Sequence, residues 1–92
     1  MGLGYALTEE VRFRGGDVLT RNFDTYEVPR FSWLPTIETV LIENPDTPAS
    51  GCGEPPIVCM GAVVANAIHD ATGARLFQLP MTPARIKAAL RT

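Results

Sequence analysis

The stretch Gly51 to Gly73, GCGEPPIVCMGAVVANAIHDATG, decides how this chain is read. Its first six residues form a glycine-flanked turn that carries one carboxylate, Glu54, followed by Pro55 and Pro56. Glycine permits positive φ and lets another body approach the backbone closely. Proline suits the first helical turn, where an amide hydrogen has no partner anyway. From Ile57 to Ala71 the pattern is helical, with Val58, Gly61/Ala62, Ala65 and Ile68 recurring at the period of one face. Gly73 then supplies a helix stop. Glu54 therefore falls at the mouth of a helix, where the helix dipole favours negative charge. The small residues Gly61, Ala62, Ala65 and Ala67 imply that another element packs close.

Outward from this helix the signals are mixed, which predicts an α+β fold. Met1 to Glu10 reads as the last turns of a helix with no N-cap ahead of it, as expected of a chain cut from something longer. Arg14-Gly15-Gly16-Asp17 between Val11–Phe13 and Val18–Thr20 is a short-loop hairpin. Asn22 to Pro35 is an aromatic-rich extended connection. Thr36 to Glu43, TIETVLIE, predicts a strand buried on both faces near its end. Asn44 to Pro56 holds four prolines and two glycines in thirteen residues, a loop of the kind that is often functional. Arg75 to Leu79 predicts a short strand. Thr82 and Pro83 open a last helix with Ile86, Ala89 and Leu90 on one face.

Length and composition set limits. With 92 residues the chain is one domain at most, with enough apolar content for a core. Net charge is −2 and the seven arginines and one lysine are scattered, which argues against a nucleic-acid surface. No apolar run is long enough for a membrane span, and the N-terminus lacks the order of a signal peptide. Cys52 and Cys59, with one histidine, are too few for a zinc site and read as thiols of a reducing compartment, the cytoplasm.

Each candidate has a plain alternative. Glu54 is either a helix-end cap or a general base held on rigid backbone beside a ligand. His69, beside Asp70 at the helix end, fits a polar face. Tyr26 and Trp33 read as core cover rather than a stacking platform. Glu9-Glu10 reads as the solvated end of the first helix. Cys52 has no histidine nearby in sequence to make it a nucleophile.

The order of pieces resembles a known family. The pieces are Gly2 to Glu10; Asn22-Phe23 with Tyr26 and Pro29; Leu34-Pro35; and a strand. Then come Gly51-x-Gly53-Glu54-Pro55-Pro56; Ala65 to Ile68 with Ala71-Thr72-Gly73; and Leu79-Pro80 with Thr82-Pro83. Together they look like the C-terminal end of the molybdenum-cofactor-binding large subunit of the xanthine dehydrogenase and aldehyde oxidase family, nearest its isoquinoline 1-oxidoreductase and nicotinate dehydrogenase members. The resemblance implies that residues 1–92 are the C-terminal part of a molybdopterin-binding domain, a few-stranded sheet packed with two to three helices. It implies that Glu54 is the active-site base in oxidative hydroxylation of an aldehyde or an N-heterocycle. Gly51, Cys52 and Gly53 would run beside molybdopterin, in its cytosine dinucleotide form. The implied partners are the remainder of the subunit, iron–sulfur and flavin subunits, and a second copy through self-association. Ser50 stands where many members carry lysine, and Cys52 where a small aliphatic residue is common. The family's other cofactor loops and its substrate pocket lie upstream, so the isolated chain is expected to bind no cofactor. The competing reading is a stand-alone remnant or interaction module without catalysis.

Overall fold

The structure, a computed structural model, describes residues 1–91. It has α1 (Gly2–Leu7), an antiparallel pair β1 (Phe13–Arg14) and β2 (Asp17–Val18), a 3₁₀ turn (Phe31–Trp33), α2 (Glu54–Val58), α3 (Met60–Thr72) and α4 (Pro83–Ala89). The α+β reading holds.

Local chemistry explains where each element starts and stops. The hairpin pairs Phe13 with Val18 and Arg14 with Asp17. Gly15 and Gly16 take φ of 56° and 91°, the positive pair a two-residue hairpin turn requires. Cys59 keeps helical angles between α2 and α3, so the two run on as one rod up to Gly73. Gly73 adopts the left-handed region (φ 78°) and its N–H donates to His69 O at 2.7 Å, closing α3. Thr82 caps α4, its Oγ1 accepting from the Arg85 N–H at 3.4 Å. The long helix therefore begins three residues before the expected Ile57, because Glu54 and both prolines already take helical angles.

The packing is centred on α1, which lies against α3 and α2. A Cβ on Gly2 would overlap the Met60 side chain, so glycine is what permits this approach. A Cβ on Gly61 would sit 3.3 Å from Leu79 Cδ1, so this small position of α3 seats the Leu79 side chain. Among the described residues Ala6, Leu76 and Met81, with Pro80 beside them, are buried, and the Met81 N–H donates to Ala6 O at 2.6 Å. This core is smaller than the composition led us to expect. The radius of gyration is 16.7 Å, against about 12 Å for a compact domain of this length.

Two expected strands do not form. Thr36–Glu43 is irregular and makes no main-chain bond to another described residue, and Arg75–Leu79 is irregular before the cis Leu79–Pro80 bond. The physical reason is shared. A strand needs a neighbour for its amides and carbonyls, and β1 and β2 pair only with each other.

Candidate functional site

Gly51, Cys52, Gly53 and Glu54 lie together on an exposed turn at the start of α2. Glu54 is the first helical residue, with Gly53 as N-cap and no side-chain cap bond. The carboxylate has no hydrogen-bond or ion-pair partner among the described residues, so it is not spent on capping. None of the amides of Gly51, Cys52 and Gly53 donates to another described residue. Positive φ is not what these glycines supply. Gly53 is right-handed (φ −68°, ψ −54°), and the positive-φ glycines are Gly15, Gly16 and Gly73. A Cβ on either Gly51 or Gly53 would meet nothing within 4 Å. Their property in use here is open access to the backbone.

A groove of about 420 Å³ runs beside this turn. One wall is Gly53, Pro56, Ile57 and Met60; the other comes from the start of α1 and from Leu34 to Ile37. The larger hollow, about 590 Å³, lies between Arg12 and the Phe23–Arg30 segment and shares no residue with the turn. The smaller groove is the one beside the candidate carboxylate, because Gly53 and Pro56, on either side of Glu54 in the turn, line it.

The remaining candidates are distributed elsewhere. Both cysteines are free and exposed, and the Cys59 thiol donates to Pro56 O at 3.3 Å. Among the described residues no group of three or more His, Cys, Asp or Glu is placed to hold a metal ion. No described helix is long and apolar enough to cross a membrane.

Glu9 and Glu10 are not a solvated end. Tyr26 Oη donates to Glu9 Oε2 at 2.6 Å, and Arg85 Nη2 donates to Glu10 Oε1 at 2.6 Å. Arg85 Nη1 also donates to Pro80 O at 2.8 Å. Hydrogen bonding to Glu9 pushes the Tyr26 phenol above its ordinary 10.0, and partial desolvation and the nearby charge act in the same direction. These partners lie 17 and 75 residues apart, so no local spacing announced them.

No protein-family model matches the sequence. Relatives do match across nearly all of it. A nicotinate dehydrogenase subunit of Pseudomonas putida is 38% identical over 91% of this chain and 7% of its own length. The putative xanthine dehydrogenase molybdenum-binding subunit XdhA of Escherichia coli K12 is 38% identical over 94% of this chain and 12% of its own. The aldehyde oxidoreductase molybdenum-binding subunit PaoC of the same organism is 34% identical over 89% of this chain and 12% of its own. The chain is a homologue of one segment of the molybdenum-binding subunits of the xanthine, aldehyde and nicotinate dehydrogenase family. It spans between 7 and 12% of the length of these three relatives.

Proposed function

We propose that this chain is the C-terminal part of a molybdopterin-binding domain and supplies the general base of a molybdenum hydroxylase. The observation that carries the proposal is the unpartnered Glu54 carboxylate at the first residue of α2, next to a groove that its neighbours Gly53 and Pro56 line. A general base needs a fixed position and a free lone pair; the helical backbone at Glu54 supports the first and the unpartnered carboxylate the second. The backbone of Gly51, Cys52 and Gly53 suits a wall of the cofactor site, since its amides are unbonded and open space lies where a Cβ would stand at both glycines. It fits a wall only, since metal ligands are not assembled among the described residues.

Molybdopterin, in its cytosine dinucleotide form, supplies the oxidation and oxygen-transfer chemistry when bound. Gly51 to Gly53 support the cofactor's edge through their amides. Glu54 accepts one proton at a carboxylate oxygen during hydroxylation of an aldehyde or an N-heterocycle. Pro56, Ile57 and Met60 would give the site an apolar wall beside the turn. Real cofactor sites bury most of the ligand, so the remainder of the subunit completes the enclosure. Iron–sulfur and flavin subunits carry electrons away, and the assembly is cytoplasmic.

The test is Glu54→Gln in the assembled enzyme, with steady-state kinetics and molybdenum quantitation. Turnover should fall by roughly a hundred- to ten-thousand-fold, the usual worth of a positioned base. Metal content should hold, because the side chain makes no contact whose loss would disturb the turn. Normal turnover at full metal loading refutes the assignment. It would leave the second reading, an interaction module without catalysis, which the open shape and small core also favour.

A further inference from the structure

We infer that Gly2 is a positioning residue for the Gly51–Glu54 turn: the bare main chain of α1 at Gly2 is the stop on which α2 rests, and it sets where the Glu54 carboxylate stands. The effect on turnover rests on the reading of Glu54 as the base; the placement of the turn does not.

A glycine inside a helix asks for a reason, because alanine suits a helix better. Gly2 is the first residue of α1. Its φ is not positive, since Gly15, Gly16 and Gly73 are the glycines that use that region. Its missing side chain therefore serves close approach. A Cβ there would overlap Met60 Cγ, and would stand 3.2 Å from Met60 Cβ and 3.5 Å from Ile57 Cα. Turning the Met60 side chain moves its Cγ but leaves its Cβ in place. Part of the push from any side chain at position 2 must therefore pass to the helix backbone.

The helix yields at the end that carries Glu54. Among the described elements α2 packs on α1 and is continued by α3, and Ile57 is its one residue that is not exposed. Glu54 lies about one turn ahead of Ile57. The amides of Gly51, Cys52 and Gly53, which precede it, donate to no described residue and give no resistance. Further along the rod, Leu79 is seated at Gly61. A push at Ile57 and Met60 thus tips the free end about that seat. α1 is fastened more firmly, through Ala6 O to the Met81 N–H at 2.6 Å and, just beyond its end, through Glu10 to Arg85 at 2.6 Å.

The experiment makes Gly2→Ala and Gly2→Val in the assembled enzyme, and measures kcat per bound molybdenum, KM and thermal midpoint. Turnover should fall several-fold for alanine and about a hundredfold for valine, the loss that roughly an ångström of misplacement brings. KM should stay within about twofold, as for an interaction made in the transition state alone. Met60→Ala removes the overlapped Cγ and should return Gly2→Ala to the turnover of Met60→Ala by itself. In a Glu54→Gln background Gly2→Ala should change turnover by less than about twofold, because no base is left to misplace. If the valine variant does not assemble, the alanine series decides. Three results overturn the inference: unchanged kcat per molybdenum with only the midpoint lowered, a loss that Met60→Ala does not relieve, or a full further loss in an impaired Glu54→Gln enzyme. Normal turnover in Glu54→Gln sinks the base reading instead. Placement of the turn is then decided in the 92-residue chain by amide exchange at Ile57 and Val58. Gly2→Val should speed that exchange about tenfold, and unchanged rates overturn the inference.

Discussion

Arg85 holds two distant parts of the chain, and removing it should cost more than removing its acidic partner. Its guanidinium donates to Glu10 Oε1 at 2.6 Å and to Pro80 O at 2.8 Å. The side chains of Arg85 and Glu10 are 28% and 34% exposed, so the ion pair is neither fully solvated nor buried. A pair in that setting contributes about 0.5–1 kcal/mol after screening. The bond from a charged donor to Pro80 O adds roughly 1 kcal/mol, discounted for partial exposure. Glu10→Gln keeps a neutral acceptor and should destabilise by about 0.5 kcal/mol. Arg85→Ala loses both bonds and the packing of the stem, and should cost about 2 kcal/mol. The double variant should match Arg85→Ala to within a few tenths, because Glu10 has nothing left to hold. Urea unfolding of the four proteins reads these values. Raising salt to 1 M, where the Debye length is about 3 Å, should shrink the Glu10→Gln effect and leave most of the Arg85→Ala effect. Equal losses for the two single variants, or strict additivity in the double, would refute the clamp.

Gly73→Ala should destabilise by about 1 kcal/mol in a thermal melt. The methyl meets nothing within 4 Å, so the cost is the left-handed backbone alone (φ 78°), and an unchanged midpoint contradicts it. The Tyr26 phenol is raised by its bond to Glu9, so its stabilising contribution is complete below about pH 10 and is lost as pH rises through the folded value. Melting from pH 7 to 11.5 should therefore fall more steeply above pH 10 in the native chain than in Tyr26→Phe. Parallel curves would count against the bond.

Elements governed by near neighbours were readable from the residues. The hairpin followed from two adjacent glycines, and the long helix from apolar spacing and its terminal Gly73. The cap on α4 followed from Thr82 and Pro83. Strand formation was not readable in the same way, because Thr36–Glu43 has the composition of a strand but no partner among the described residues. The pattern recorded what the segment is suited to, while pairing depends on what lies beside it. The exposed turn at Gly51–Glu54 appeared where its composition put it, and neither of its glycines uses the positive φ open to it. Glycine there has two uses, conformational licence and open space, and only coordinates tell them apart. The roles of Glu9 and Glu10 were hidden because their partners, Tyr26 and Arg85, are remote in sequence.

The bond from Met81 N–H to Ala6 O joins residues 75 positions apart in the chain. With Gly2 against Met60 and Arg85 on Glu10, it fastens the first ten residues to the second half of the molecule. The proline-rich run from Asn44 to Ser50 is exposed and makes few bonds. Its covalent continuity is therefore of little mechanical importance. A protease that cuts there is expected to leave two polypeptides latched to one another through these contacts. The strand-like segment remains on the first and the Glu54 turn on the second. The two halves meet as a hasp and its staple, and the peptide between them is a tether.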